Sequence, residues 1–361
     1  MKTSSNQRYL TKTRFKEALD CPAKLFYTKK EDYANQMVKD TFLESLAQGG
    51  FQVEELARMD YPDGIAILGD DRDYDKVLGR TSELLLQENI TIFEAAFLYN
   101  GLFIRVDILN KKGNKIQLIE VKAKSISNID HNGFIKKDKL NTGWTPYLYD
   151  VAFQKYVIQQ CYPNWDIKAY LMLANKDAVA TVDGLNQFFK IKKTKGHRTG
   201  IIKPDNLKLE DLGDPLLTRI SVEEEMEFIY QNNPVDESRT FQELIEFYKN
   251  HYEKDIKIFA EIGKHCKTCQ FVASKEEIKK SGFHECWNAQ LKFSDKEIDK
   301  PKVYDVSNFR KSKRLMEEGK YFMYQLNEND VDQFARRCLR FSSELQCQSY
   351  TYLSLVLLHG E

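Results

Sequence analysis

Three side chains with clear chemical potential lie on two consecutive segments that are predicted to be β-strands. Asp107 comes late in LFIRVDILN, and Glu120 and Lys122 lie two residues apart in IQLIEVKA. Alternation along a strand puts Glu120 and Lys122 on one face, and the turn KKGNK brings Asp107 near Glu120. Paired carboxylates are hard oxygen ligands that suit Mg²⁺ or Mn²⁺, and Glu94 on the preceding strand could be a further ligand. A lysine beside them can orient or activate a water, or stabilise charge on a phosphate.

The same residues could instead be an Asp and a Glu-x-Lys pair on a solvated sheet face. Each charge, however, is embedded in a very apolar strand, FIRVDIL or LIEVKA. Charges in such strands are costly unless they are paired, lie on an open face or bind a metal. The context therefore favours a site at the open end of the sheet, where loss of either carboxylate should relieve charge repulsion rather than open a cavity.

The apolar patterns around these residues predict an α/β core. The order β-β-β-α-β suggests a mixed central sheet flanked by helices, with a helical, Cys-rich region towards the C-terminus. The second of two N-terminal helices should break near Gly49-Gly50. The predicted strands are 90–100, 102–110, 116–123 and 166–175, and the predicted helices are 9–30, 35–58, 150–162 and those within 221–260.

Composition narrows the function classes. The 361 residues are 42% hydrophobic and 12% aromatic, which excludes a mostly disordered chain. Lys+Arg and Asp+Glu both number 54, so a nucleic-acid partner would need a local basic patch, such as KIKKTKGHR at 190–198 with Lys136, Lys137 and Lys139. We find no membrane-length apolar segment and no apolar signal region, so we expect a cytoplasmic protein without a membrane partner. Neither GxxxxGK[ST] nor GxSxG occurs, which argues against a helicase or an α/β-hydrolase.

The cysteines indicate metal or redox chemistry rather than disulfides. They number seven, which is odd, and the chain shows no export signal. Cys266 and Cys269 form a CxxC pair, and Cys286 follows after sixteen residues. Together with His265 or His284, they would form a structural zinc site.

The order of the acidic motifs resembles the PD-(D/E)XK nuclease superfamily, in particular its RecB-like branch. Glu94 is followed by GLFIRVD, which ends at Asp107, and then by EVK at 120–122. The resemblance implies a restriction-endonuclease-like core and metal-dependent hydrolysis of DNA. The implied catalytic residues are Asp107, Glu120, Lys122 and Gln154 of DVAFQKY, and the implied Mg²⁺ or Mn²⁺ ligands are Glu94, Asp107, Glu120 and Val121.

Two positions depart from the family pattern. The tyrosine that usually follows the glutamine by four residues is Ile158 here, although Tyr156 lies nearby. The second helix, with GGFQVEELA, lacks the metal-binding histidine of many relatives, so Glu54 or Glu55 could substitute for it.

The phrase CPAKLFY, which begins at Cys21, extends the resemblance to an iron–sulfur subgroup. Nucleases similar to the CRISPR-associated and AddB types hold a [4Fe–4S] cluster with one cysteine before the core and three after it. The implied cluster would tie the N-terminal helix to the C-terminal part of the chain. Its implied ligands are Cys21, Cys266, Cys269 and Cys286.

This resemblance divides the chain into four segments. They are an N-terminal helical segment with the first cluster cysteine at 1–60, a nuclease core at 61–200, a helical and Cys-rich cluster-binding region at 201–300, and a helical extension at 301–361. The expected function is a metal-dependent deoxyribonuclease, more an exonuclease than an endonuclease, acting on single-stranded DNA or DNA ends. It would serve DNA processing, repair or phage defence, with a helicase or another DNA-processing protein as a candidate partner. The alternatives are a non-catalytic nucleic-acid-binding or assembly module with structural zinc, and a Holliday-junction or restriction-type enzyme.

A serine at Cys21 should remove the iron and the brown colour, because the cluster would lose one of four thiolate ligands. The N-terminal helix should also become more sensitive to proteases, as the link between distant chain segments is lost. An iron assay and a visible absorbance spectrum measure this. Cys161→Ser is the matched control and should keep its iron, because Cys161 has the character of a buried thiol. Iron that stayed in Cys21→Ser and was lost from Cys161→Ser would refute the ligand set, and a colourless zinc protein would favour the Cys/His site at 265–286.

Overall fold

The computed structural model describes most of the chain as two compact units. The described residues are 8–39, 41–68, 73–127, 133–192, 200–306, 309–327 and 329–330. Those within Met1–Lys29 and Met37–Ile258 form the first unit, and those within Lys30–Gln36 and Phe259–Glu361 form the second. The division of the chain into four functional segments stays a prediction, since the two units are defined by contact and not by role.

A mixed sheet of seven strands forms the centre of the first unit. In chain order the strands of the protein are β1 (Leu10–Thr11), β2 (Ile65–Ala66), β3 (Asn89–Tyr99), β4 (Leu102–Lys112), β5 (Lys115–Ile126), β6 (Ile135–Lys136), β7 (Lys139–Leu140), β8 (Asp166–Asn175), β9 (Lys190–Lys192), β10 (Gly200–Ile202) and β11 (Leu217–Ser221). The central sheet has the order β11-β8-β5-β4-β3-β2, with β1 beside β4. β1 on β4, β2 on β3 and β5 on β8 are parallel, and the other neighbours are antiparallel. The prediction of an α/β fold with a mixed sheet is confirmed.

Helices cover both faces of this sheet. The helices are α1 (Lys12–Asp20), α2 (Lys24–Tyr27), α3 (Thr41–Arg58), α4 (Tyr74–Leu84), α5 (Thr145–Cys161), α6 (Glu223–Asn232), α7 (Phe241–Glu253), α8 (Gly282–Leu291), α9 (Asp295–Ile298) and α10 (Ser312–Glu317). α5 packs on one face and contacts α1 and α6, while α3 packs on the other face over β5. The apolar residues that alternate along the strands supply the two buried faces.

A tight turn joins β3 to β4 and fixes their register. Asn100 and Gly101 both have positive φ, 44° and 81°, as the two central residues of a type I′ hairpin turn require. A Cβ at Gly101 would lie 1.9 Å from a carboxylate oxygen of Glu253, so only glycine fits without movement of that side chain.

The helix α5 is buried almost all round, which is unusual for a helix that carries polar residues. Its first turn contains Pro146, whose missing N–H costs nothing at a helix start. Phe153 stacks on Phe15 of α1 with ring centroids 4.6 Å apart. Two polar residues, Asp150 and Gln154, are buried in the middle of this helix. They lie one helical turn apart and therefore on one side of α5.

The structure corrects several element boundaries. α3 runs through Gly49-Gly50 without a break, because the packing of residues such as Ala57 against the sheet outweighs the roughly 1 kcal/mol that each glycine costs a helix. α5 starts at Thr145 rather than at 150, and β11 at the sheet edge was not predicted. The N-terminal helix ends at Cys21, before Pro22, and resumes as α2.

The second unit is built from short elements around its own apolar cluster. Trp287 of α8 is fully buried there with Phe322, and Cys266 and Cys269 pack at the cluster's edge. Tyr33 donates a hydrogen bond of 2.8 Å to Glu285 and so joins residues 30–36 to α8. In the described part of the protein, no helix is long and apolar enough to cross a membrane.

Candidate active site

The three acids singled out in the sequence fall in one row across three neighbouring strands. The register of β3 on β4 puts Glu94 opposite Asp107. The pairing of β4 with β5 ends at Ile108 and Ile119, and the next residues along the two strands are Asp107 and Glu120. We call Glu94, Asp107 and Glu120 the acid row.

The main-chain ladder between β4 and β5 opens at this row. Backbone pairing of the two strands extends to Ile108 and Ile119, and just beyond it the Asp107 carboxylate accepts a hydrogen bond of 2.8 Å from the Val121 N–H. Towards the start of β4, the short strand β1 pairs with it in parallel, at Leu102 and Phe103, where β5 no longer pairs. The start of α1, which follows β1 directly, is thereby brought to the opening.

Glu120 lies in this opening and has no solvent exposure. Lys12 of α1 donates to both of its carboxylate oxygens, at 2.9 and 3.0 Å, and Lys122 donates to one of them. Gln154 of α5 donates a further hydrogen bond of 2.8 Å. The expectation that Glu120 lies at an open end of the sheet is therefore wrong, because its side chain is closed off from solvent by these donors. Its removal would leave two partly buried ammonium groups short of a partner rather than relieve repulsion.

The charges of the acid row are set by these neighbours. Burial opposes the charge of Glu120, but Lys12 and Lys122 outweigh burial and hold its pKa well below the ordinary value. Burial and the nearby Glu120 charge together raise the pKa of Asp107. Burial also opposes the charge of Lys122, but the two carboxylates outweigh it and raise its pKa. The two acids are thus tuned in opposite directions, a pattern typical of functional sites.

Glu94 is held at the other end of the row in a strained backbone. Its φ of 62° lies in the left-handed region, which is rare for a residue with a side chain inside a strand. Its carboxylate pairs with Arg105 at 3.0 Å and with Arg58 at 3.6 Å. Arg58 also pairs with Glu54 and Glu55 of α3, so the two acids proposed to replace the missing histidine connect to the row through this guanidinium.

Asp150 belongs to the same charged cluster and was missed in the sequence. It pairs with Lys16 at 3.1 Å, and burial and the Glu120 charge raise its pKa although Lys16 and Lys12 oppose this. Its Oδ1 atom and the Oε1 atom of Gln154 are buried, and neither has a hydrogen-bond donor among the described residues. The spacing of four between Asp150 and Gln154 on a helix is a signal that could have found it.

Lys12 was also missed, and no local signal identifies it. It is one of several lysines near the N-terminus, in the phrase TKTRFK. Its contacts with Asp107 and Glu120 span about a hundred residues of sequence. They depend on the pairing of a two-residue strand, β1, which carries too few residues for a periodic pattern.

Two clefts meet at the acid row. One, of about 440 Å³, lies along α1 and is lined by Lys12, Arg14, Lys29, Tyr74 and Phe103 together with Glu94, Arg105 and Asp107. The other, of about 360 Å³, lies along α3 and shares Glu94 and Arg105 with the first. Both open surfaces combine carboxylates with basic side chains, which suits a phosphate-bearing ligand next to a cation.

The remaining predicted positions lie elsewhere. Tyr156 packs edge-on against Phe241, and Ile158 is fully buried in the core. Phe189 is buried in an apolar cluster, so it packs in the core and does not stack on a base. Most of the basic run, at 193–198, lies outside the described residues, whereas the exposed Lys136, Lys137 and Lys139 form the small β6–β7 hairpin.

The cysteines predicted to bind a cluster are distributed over both units. Cys21 ends α1 in the first unit. In the second unit, Cys266 and Cys269 lie in and just after a 3-10 helix and face Tyr304, and burial together with these thiols raises the pKa of Tyr304. Cys286 lies in α8, where its thiol contributes to the raised pKa of Tyr33. Cys338 and Cys347 lie outside the described residues.

Across the described ranges, no group of three or more His, Cys, Asp or Glu side chains is arranged to hold a metal ion. In the acid row Lys12 lies between the Asp107 and Glu120 carboxylates, and Arg105 and Arg58 pair with Glu94. No family model matches the chain, and no curated protein or solved structure matches it either.

Replacing Gln154 tests whether its amide stabilises the Glu120 charge. Gln154→Leu loses a hydrogen bond to a charged group, worth about 1.5–3 kcal/mol, but it also removes a buried acceptor without a donor. Gln154→Glu should cost more, about 3–5 kcal/mol, because it buries a second negative charge beside Glu120. Urea unfolding at neutral pH measures both costs.

The same two variants should respond differently to pH. In Gln154→Glu the like charges raise a carboxyl pKa of the folded state above its unfolded value, so the folded protein gains stability by binding a proton as the pH falls. The difference in the free energy of unfolding between Gln154→Glu and Gln154→Leu should therefore become smaller at mildly acidic pH. Equal costs at both pH values would show that Gln154 does not act on Glu120.

Proposed function

We propose that this protein is a metal-dependent nuclease that hydrolyses phosphodiester bonds of DNA at the acid row. The observation that carries the proposal is the convergence of Asp107, Glu120 and Lys122 where the β4–β5 ladder opens. The resemblance to RecB-like PD-(D/E)XK nucleases rests on the same residues. It makes DNA the expected substrate and an exonuclease the expected type.

The oxygen atoms of Asp107 and Glu120 are ligands of the kind that a hard divalent cation prefers, once Lys12 no longer lies between the two carboxylates. Asp107 and Glu120 offer carboxylate oxygens, and the main-chain segment at Val121 lies between Glu120 and Lys122. Next to them, Oε1 of Gln154 and Oδ1 of Asp150 are buried acceptors with no donor among the described side chains, as expected beside a cation. Mg²⁺ or Mn²⁺ bound by these oxygens would supply positive charge to a phosphate and make water more acidic.

The protein's own groups have separable tasks in this proposal. The Val121 N–H holds the Asp107 carboxylate in place, and Gln154 orients the Glu120 carboxylate. Lys122, bound to Glu120 and partly open to solvent, is placed to orient the attacking water or to stabilise charge on the phosphate. Arg105 and Arg58 pair with the Glu94 carboxylate and hold it at the end of the row.

The cleft along α1 supports a single DNA strand as substrate. It is lined by the exposed Lys29, by the partly exposed Lys12 and Arg105, and by the partly exposed ring of Tyr74. Basic groups that follow a phosphate backbone, combined with rings that can stack on bases, are the usual means of binding single strands. The proposed [4Fe–4S] cluster of Cys21, Cys266, Cys269 and Cys286, or alternatively structural zinc, would add a structural metal and no catalytic group.

Asp107→Asn should reduce cleavage of single-stranded DNA at least about 10²-fold, the size of effect expected when a charged group is lost from such a site. The substitution keeps the shape of the side chain, so circular dichroism should show an unchanged fold. Cleavage is measured with Mg²⁺ or Mn²⁺, with a chelator as the metal-free reference. The matched control is Asp166→Asn at the exposed start of β8, which should retain activity. An Asp107→Asn protein with normal cleavage would refute the site, and a wild type that binds but never cuts DNA would favour the non-catalytic alternative.

Lys122→Ala should slow the chemical step while DNA binding stays unchanged, because the work assigned to Lys122 is on the transition state. Single-turnover rates in Mg²⁺ measure the step, and fluorescence anisotropy in Ca²⁺ measures the binding. Lys124→Ala is the control on the same strand, since Lys124 donates to the Gly143 carbonyl away from the row. A binding defect with an unchanged single-turnover rate would remove Lys122 from the chemistry.

A further inference from the structure

The ammonium group of Lys12 lies where a divalent ion on the acid row would be expected. Its Nζ atom is 2.9 and 3.0 Å from the two Glu120 oxygens and 3.6 Å from an Asp107 oxygen. One cation thus bridges the two carboxylates that the proposed function assigns to the metal. A lysine side chain is already protonated at neutral pH, and this one touches three carboxylate oxygens, so it acts here as a cation.

The formal charges show that Lys12 and a divalent ion would compete for the same two carboxylates. Lys12 and Lys122 carry two positive charges, and Asp107 and Glu120 carry two negative charges. The cluster of these four side chains is therefore already neutral. A divalent ion added to a neutral, buried cluster gains little attraction and must be desolvated. The balance is restored if one ammonium leaves. Lys12 can leave more readily, since it belongs to a separate helix, whereas Lys122 follows Glu120 on the same strand.

We propose that Lys12 is a built-in counter-ion that neutralises Asp107 and Glu120 in the metal-free protein and is displaced when a divalent ion binds. This inference rests on the proposed function, in which these carboxylates hold the ion. It adds that the N-terminal helix controls how tightly the ion is held.

The structure offers the displaced ammonium a new acceptor. Lys12 and Lys16 are one turn apart on α1 and so share a face of the helix. Lys16 already binds Oδ2 of Asp150 at 3.1 Å, and the Oδ1 atom of the same carboxylate has no donor among the described residues. Gln154, one helical turn from Asp150 on α5, donates to the same Glu120 carboxylate that Lys12 contacts, which places Asp150 close to the present position of Lys12. A change of side-chain rotamer would transfer Lys12 from the acid row to Asp150.

The test is Mn²⁺ binding, measured by calorimetry or electron paramagnetic resonance without DNA. Lys12→Met removes the competing charge and keeps an unbranched side chain, so it should bind Mn²⁺ at least about fivefold more tightly than the wild type. Its metal-free form should unfold at lower urea concentration, and Mn²⁺ should restore more stability to it than to the wild type.

Lys155→Met is the matched control for Lys12→Met. Lys155 contacts both oxygens of Glu223 at 2.9 Å, and its side chain is 15% exposed, against 22% for Lys12. It should therefore share any general effect of losing a half-buried ion pair. Its Mn²⁺ affinity should equal that of the wild type, because it does not contact the acid row.

A second measurement uses the wild type and does not depend on the folding of a variant. Amine-reactive labelling followed by mass spectrometry should find Lys12 protected without metal and modified faster when Mn²⁺ is present, while Lys155 should not change. An ammonium held by three carboxylate oxygens is a poor nucleophile, whereas after displacement Lys12 has only one free oxygen of Asp150 as an acceptor and is held less strongly.

A double-mutant cycle tests the acceptor. Asp150→Asn should weaken Mn²⁺ binding more in the wild type than in Lys12→Met, because only the wild type has an ammonium to transfer. An equal weakening in both backgrounds would mean that Asp150 acts only by its charge, and would overturn the transfer step.

The outcomes separate this inference from the proposed function. Mn²⁺ binding that depends on Asp107 but is no tighter in Lys12→Met, with Lys12 labelling insensitive to Mn²⁺, would overturn displacement and leave the nuclease site standing. Absence of Asp107-dependent Mn²⁺ binding in both wild type and Lys12→Met would overturn both.

Discussion

A carboxylate with no solvent exposure, Glu120, imposes the main constraint on the first unit. An ion of this kind costs several kcal/mol to bury unless its charge is matched and its oxygens accept hydrogen bonds. The three donors that meet this demand come from the start of α1, from β5 itself and from the middle of α5. The sheet, the N-terminal helix and the central helix are therefore held in one arrangement by a single charged group. If any one of them moved away, the Glu120 charge would lose a partner inside an apolar interior.

The other two carboxylates of the acid row are also held by specific partners. Asp107 is held by a main-chain N–H, and Glu94 by two guanidinium groups. Glu94 also keeps a left-handed backbone inside a strand, a conformation that costs about 1–3 kcal/mol and persists only where the surroundings determine it. Charged groups fixed in advance need not reorganise during a reaction, which is the main source of electrostatic catalysis.

The two lysines at Glu120 differ in how they reach it. Lys122 reaches it through strand periodicity, because residues two apart lie on one face. Lys12 reaches it through a parallel pairing of two residues at the point where β4 and β5 separate. The Lys12 contact comes from a separate helix, so it can be given up without any change in β5. The Lys122 contact is made within β5 itself and cannot. In the proposed function, this difference in attachment separates Lys122, to which we assign a part in the chemistry, from Lys12, to which we assign control of access to the carboxylates.

The sequence alone determined the mixed α/β core and the meeting of Asp107 with Glu120, because alternation and a short turn set the register of a hairpin locally. The role of Gln154 came from the resemblance to known nucleases, and its bond to Glu120 agrees with that role. The tertiary structure alone decided that Glu120 is buried, that α3 continues through Gly49-Gly50, and that Lys12 and Asp150 belong to the site. Periodic patterns report which residues share a face of one element. They do not report which elements pack together, and a charge acquires its partners only when distant elements pack.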